Sequence, residues 1–225
     1  MSTFATGAIL CMKQPDTIII LHYTPYSERA VVLHTVSRLY GRRSFIVRNA
    51  SRSISFFQPL SILDCEITES PKTQLFSASL FTSAHPLAGI RGSYSKNAIS
   101  MFMAEVLLRA IREGSQEEGL FEWCRSEILL LDAMEDGFAN FHVRFLLDFA
   151  AAAGFSPGMA DLLPFAEDSA GVLQRLVEAG PAGAMLVPLS GTQRSEACAR
   201  LLKYLEFHLE TPLHIRSLAV LGELF

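Results

Sequence analysis

The sequence predicts an α+β protein, with a small closed or partly closed β-barrel over residues 1–85 and an all-α helical domain over residues 86–225. Three observations carry this. The first 85 residues alternate short β-branched or aromatic runs with turn residues, the pattern of an all-β unit. From Ser95 onward apolar residues recur at helical spacing. Between them, Arg29, Arg38, Arg42, Arg43, Arg48 and Arg52 all fall in the strand-rich part, and no Asp or Glu occurs between Arg29 and Leu63.

Strand runs are read at Thr6–Met12 and Thr17–Tyr23, with Gln14-Pro15-Asp16 between them as a turn, because Pro fixes φ and Asp can bond its own backbone. Ala30–Val36 follows and ends near Tyr40-Gly41, then come Ser44–Val47, Ser61–Ile67 and Leu75–Phe81, with Ser70-Pro71 separating the last two. Five or six short strands in so few residues favour a barrel over a sandwich, since closure removes sheet edges.

The pattern changes near His85-Pro86, and the domain boundary is placed at about 84–94. Ser95 is expected to cap a helix whose Ile99, Phe102, Met103, Val106, Leu107 and Ala110 share one face, broken by Gly114-Ser115. Further helices are expected over Glu117–Ala133 and Phe138–Ala153, the latter stopped by Gly154 with Pro157 beyond. Phe138, Phe141, Phe145 and Phe149 form a stripe read as core packing. Residues 156–192 are irregular, with one helix near Ser169–Ala179; a long helix over Thr192–Leu209 and a short one after Pro212 close the chain.

Half the residues are apolar and 19% charged, which suits a sizeable core. No apolar run approaches the roughly 20 residues of a membrane span, and the N-terminus lacks the pattern of a secretory signal. Cys11, Cys65, Cys124 and Cys198 form no C-x-x-C pair, so reduced thiols in a cytoplasmic protein without metal are expected. No nucleophile elbow, zinc-protease motif or phosphate loop is present, so no enzyme and no cofactor are read from the sequence. His142 reads as a partly buried structural histidine, and Glu117-Glu118 and Glu135-Asp136 as helix-start charges.

The net charge of −4 divides into +3 over residues 1–85 and −7 over the rest. A basic barrel with interleaved aromatics is suited to single strands, cations taking phosphates and rings taking bases. Arg38, Tyr40, Arg42, Arg43, Arg48 and Arg52 are the candidate nucleic-acid contacts. Arg42, Arg43 and Arg48 are expected to be exposed, lacking any carboxylate nearby in sequence, while Arg29 and Arg52 are ranked lower, as serving the fold or a partner. Phe45 fits either the barrel interior or its surface.

His22-Tyr23-Thr24-Pro25-Tyr26-Ser27-Glu28, Leu39-Tyr40-Gly41-Arg42-Arg43, Gln58-Pro59-Leu60, Lys96–Ile99, Ala104–Leu107, Gly137–His142 and Leu201–Leu209 together resemble, in order and spacing, the RecO recombination and repair proteins of the Bacteroidetes branch. The resemblance implies an N-terminal OB-fold and a helical domain. It implies binding of single- and double-stranded DNA, strand annealing, and loading of RecA with RecR on strands coated by the single-strand-binding protein SSB, in a bacterial, nucleoid-associated setting. Many members carry a four-cysteine zinc site; Ser169–Ser195 contains no cysteine, so that segment should rest on apolar packing. The family's helical domain receives the acidic, Phe-ended SSB tail, for which Arg109, Arg112, Arg200 and Lys203 are the candidate rim cations.

Two rival readings stand beside this one. The barrel could grip an acidic protein surface such as RecR, with DNA affinity incidental. A hydrolase would need carboxylates near the basic face, and Asp64 and Glu66 are the nearest pair.

Overall fold

The computed structural model describes residues 13–69, 76–155 and 157–224. The strand read at Thr6–Met12, Cys11 and the Ser70-Pro71 turn lie outside them. Five strands, β1 (Lys13–Ser27), β2 (Ala30–Ser37), β3 (Gly41–Arg48), β4 (Ile62–Glu69) and β5 (Phe76–Ser83), close into a barrel in the order β1-β2-β3-β5-β4. All pairings are antiparallel except β3 with β5, which meet in parallel at Ile46 and Ser77.

Gln14-Pro15-Asp16 is not a turn, contrary to the sequence reading. β1 runs straight through it, with Pro15 opposite Glu66 of β4, while the pairing of β1 with β2 begins only at Ile18. With one neighbour at Pro15, the missing N–H costs the sheet nothing. Asp16 is 7% exposed and serves the fold. Its Oδ2 accepts the Ser37 hydroxyl, and its Oδ1 accepts the amides of Thr17 (2.8 Å) and Leu39 (3.3 Å), which fixes the β2–β3 turn.

Alternation sends Ile18, Ile20, Leu33, Phe45, Val47, Leu63, Ile67 and Phe76 into the barrel interior. The opposite phase of the same strands is also buried: Ile19, Leu21, Val36 and Ile62 join Leu60 in one cluster with the helices. The uninterrupted run Ile18-Ile19-Ile20-Leu21 therefore reflects a strand covered on both faces.

The helices are α1 (Ala88–Arg91), α2 (Tyr94–Ala110), α3 (Leu120–Ala133), α4 (Phe141–Ala152), α5 (Met159–Ala166), α6 (Ala170–Ala184), α7 (Gly191–Leu209) and α8 (Ser217–Leu224). The cap of α2 is Ser93, not Ser95: its hydroxyl accepts the Lys96 amide at 3.3 Å. Ile99, Phe102, Met103, Val106 and Leu107 are buried as expected, and so are Phe141, Phe145 and Phe149. Gly154 ends α4 at φ +86, with the Phe155 amide donating to Ala150.

Within residues 157–192 the structure holds two helices rather than one, since α5 precedes α6. α6 itself is broken at Gly180 (φ 67), immediately before Pro181. Leu162, Ala166, Leu173, Leu176 and Ala184 anchor this segment in the main core. α7 opens on a capping box, Ser190 and Gln193 each accepting the other's backbone amide, at 3.2 and 3.0 Å.

Candidate nucleic-acid interface

The β2–β3 hairpin sets the geometry. Its register places Ala30 opposite Arg48, Val32 opposite Ile46, His34 opposite Ser44 and Val36 opposite Arg42. Period two then turns Arg42, Ser44, Ile46 and Arg48 outward and Phe45 and Val47 inward. Phe45 is fully buried, which resolves its two possible placements in favour of the interior.

The outward row is not uniform. At its Arg42 end, the loop between α2 and α3 docks on the strand. The Arg42 amide donates to Ser115 (2.9 Å) and the Gly114 amide to Arg42 (2.7 Å), so the loop occupies the side of β3 that β5 leaves unpaired. Arg42 is 4% exposed, with Nη1 standing 2.8 Å from Oε2 of Glu113. Burial depresses its pKa, partly offset by the Glu113 charge. The expectation that Arg42 is exposed is therefore wrong, and the reason is long-range: its carboxylate, Glu113, comes from the loop between α2 and α3.

The Arg48 end is open. Arg48 is exposed, as expected. Arg29 occupies the tight β1–β2 turn, and its carbonyl accepts the Ala50 amide at 3.2 Å, which draws the short 3-10 turn Ala50–Arg52 against it. Arg29 and Arg52 are exposed too, and none of the three arginines makes an ion pair among the described residues. Tyr26, at the end of β1, is 68% exposed.

The remaining sequence candidates serve other contacts. Arg38 is exposed but paired with Glu122 of α3 at 2.8 Å, its guanidinium 5.9 Å from the Phe121 ring. Tyr40 donates its hydroxyl to Gln14 (3.1 Å) and packs its ring against Phe76 (5.0 Å) and Phe45 (6.3 Å), closing one end of the barrel. Arg43 is half-buried rather than exposed, since it lies in the inward phase at the strand's end, over Phe76 at 4.3 Å. The structure thus separates Arg38, Tyr40, Arg42 and Arg43 from Arg48 and Arg52, and sets Arg29 at the same barrel end as the latter two. The usable signal in the sequence was the turn itself, because the β1–β2 loop of such barrels faces the ligand side.

On the helical domain the four candidate cations divide into two pairs. Arg109 and Arg112 are exposed and line a cleft of about 520 Å³ with Leu209 and Thr211, and with the carboxylates Glu113 and Glu117. Arg200 and Lys203 both pair with Glu167, at 2.5 and 3.1 Å. Asp64 and Glu66 lie on β4, with β5 between them and β3, and are engaged by Thr17 (2.7 Å) and Lys13 (3.1 Å). Among the described residues no group of three His, Cys, Asp or Glu is placed to hold a metal, and Cys65, Cys124 and Cys198 are buried apart from one another. No helix among them is long and apolar enough to cross a membrane.

A closed five-stranded barrel in this strand order, with cations at the β1–β2 turn and the open end of β3, is an OB-fold, a class built to hold oligonucleotides or oligosaccharides. Comparison with known proteins narrows the class. Residues 91–162 match the family model described as the recombination protein O C terminal. The DNA repair protein RecO of Bacteroides fragilis is 30% identical over 95% of this chain and the whole of that protein. That of Christiangramia forsetii is 32% identical over 92% of this chain and 97% of its own, and that of Flavobacterium psychrophilum 26% over 95% and 100%. The chain belongs to the RecO family.

Proposed function

We propose that this chain is a non-catalytic DNA repair and recombination mediator that holds single strands on the barrel at Arg29, Arg48 and Arg52, with Tyr26 as a stacking surface. The observation that carries the reading is the gathering of three exposed, unpaired arginines at one barrel end beside an exposed aromatic ring. Such cations neutralise phosphates without reading sequence, and a ring face accepts any base. Relatives named for DNA repair support the task. Binding of duplex, annealing of complementary strands, and loading of RecA with RecR on SSB-coated DNA in the cytoplasm complete the proposal. The cleft at Arg109 and Arg112 is then the better-placed acceptor for an acidic SSB tail: neither arginine is ion-paired among the described residues, although Glu113 and Glu117 also line the cleft, whereas Glu167 already occupies Arg200 and Lys203.

Binding of a fluorescent single strand should weaken with salt at a log–log slope of about −2, three contacts at roughly −0.7 each. Neutralising Arg29, Arg48 and Arg52 together should abolish the slope. A slope unchanged by the triple substitution refutes the assignment.

Ile54, 40% exposed beside this patch, favours a second reading in which the same end grips an acidic protein partner such as RecR. Competition between RecR and the oligonucleotide for the barrel separates the two.

A further inference from the structure

Glu113 gathers two hydrogen bonds and an ion pair from a single barrel strand. Its Oε1 accepts the Ser44 amide at 2.7 Å, its Oε2 accepts the Ser44 hydroxyl at 3.1 Å, and Arg42 Nη1 stands 2.8 Å from Oε2. A backbone N–H, a hydroxyl and a guanidinium converging on two anionic oxygens are the donors that hold a phosphate. Arg42 is 4% exposed, yet neither its Nε nor its Nη1 makes a hydrogen bond among the described residues, so Glu113 meets the guanidinium by charge and proximity and leaves its donors unused. The Glu113 side chain is 49% exposed, so the anion can be exchanged from solvent. His34 Nδ1, 2.9 Å from Ser44 Oγ, fixes that hydroxyl from the other side. Ser44 shares the outward phase with Arg48, about 13 Å away along β3 at 3.3 Å per residue.

We propose that Arg42 and Ser44 form a phosphate site on β3 that Glu113 fills in the unbound chain, and that a nucleic-acid phosphate takes its place. The inference rests on the strand-binding reading and extends it, because a strand held at Arg48 and running along β3 arrives at this carboxylate. Exchange puts one anion in place of another on the same donors. It also releases one of the ties that fasten the α2–α3 loop to the barrel, so strand binding loosens the seam between barrel and helices.

The test uses the full chain. Glu113→Ala should bind a fluorescent single strand about fivefold more tightly, the scale of one half-exposed ion pair, with a salt slope steeper by about 0.7. Glu113→Gln, which keeps an acceptor for the Ser44 amide, should move both readouts the same way. Adding Arg42→Ala to Glu113→Ala should return both to the starting values. Folded Glu113 variants with unchanged affinity and slope overturn the proposal. Amide NMR of the unaltered chain removes dependence on the variants: saturating oligonucleotide should shift the Ser44 resonance, and a stationary resonance overturns the proposal. If no oligonucleotide binds, the strand-binding reading fails by itself. Inorganic pyrophosphate added to the Glu113→Ala chain then decides the anion site, a shift of Ser44 supporting it and no shift overturning it.

Discussion

Gly41 approaches Ser115 so closely that a methyl group on its Cα would lie 2.1 Å from the Ser115 carbonyl oxygen. The same residue sits at φ +63, a region that costs L-residues about 1–2 kcal/mol. Both constraints serve one purpose, to let the α2–α3 loop complete the hydrogen bonding of β3 at Arg42. Gly41→Ala should therefore lower stability by about 2–4 kcal/mol, read by urea unfolding. It should also expose the Gly114 amide to hydrogen exchange. A loss under about 1 kcal/mol would mean that the loop can move aside at little cost.

Arg43 and Arg48 are five residues apart on one strand and should behave oppositely. Arg48 is exposed without an ion pair, so Arg48→Ala should leave stability unchanged and flatten the salt slope of single-strand binding by about 0.7. Arg43 lies over Phe76 at 4.3 Å, so Arg43→Ala should cost about 0.5–1 kcal/mol of stability and leave the slope alone. Thermal melts and salt titrations of the two variants check the pair. The reverse pattern would move the strand to the other end of the barrel.

The strands and the long helices were legible because burial on one side writes a period into the sequence. Phe45 and Val47 alternate, and Ile99, Phe102, Met103 and Val106 recur at helical spacing. What was misread depends on contacts far away in the chain. Asp16 looks like a turn residue until Ser37 and Leu39 are seen to donate to it. Arg42 looks exposed until Glu113 arrives across the seam. Arg29 looked peripheral because it ends the arginine run in sequence, yet Ala50 folds back onto its carbonyl and brings Arg48 and Arg52 beside it. Composition announces a basic barrel; which of its arginines are exposed is set by the register of β3, the fold-back of Ala50 onto Arg29 and the docking of the α2–α3 loop on Arg42.

Arg144 holds two carboxylates inside the helical domain, both oxygens of Glu127 (2.8 and 3.0 Å) and Asp148 (2.5 Å). Burial raises the pKa of both acids against the pull of the guanidinium. Arg144→Met should cost about 3–5 kcal/mol at pH 7, since it strands two buried charges. The sign of the pH effect follows. Without the arginine the folded-state pKa values of both acids rise further above their unfolded values, so the folded state binds protons more tightly. The variant should regain stability as pH falls through those raised values, toward the unfolded ones near 4. Urea unfolding at pH 7 and pH 5 checks this; equal losses at both pH values would show that the cost is packing alone.

His142 is 2% exposed, with its ring edge to Phe102 at 6.1 Å. Burial, aided by the Arg194 charge, pushes its pKa down to about 3. The unfolded chain protonates this histidine near pH 6.5, while the folded chain stays neutral until about 3. Between those values the unfolded state carries the extra proton, so folding stability falls as pH drops, at up to about 1.4 kcal/mol per pH unit. His142→Gln, neutral in both states, should remove about one proton from the slope of stability against pH over this window. Carboxylates contribute their own slopes as pH falls toward 5, so the difference between the two chains, measured by urea unfolding from pH 7 to pH 5, is the quantity that isolates His142. Parallel pH profiles would mean that the imidazole takes up its proton inside the folded helical domain, where a counter-charge would have to meet it.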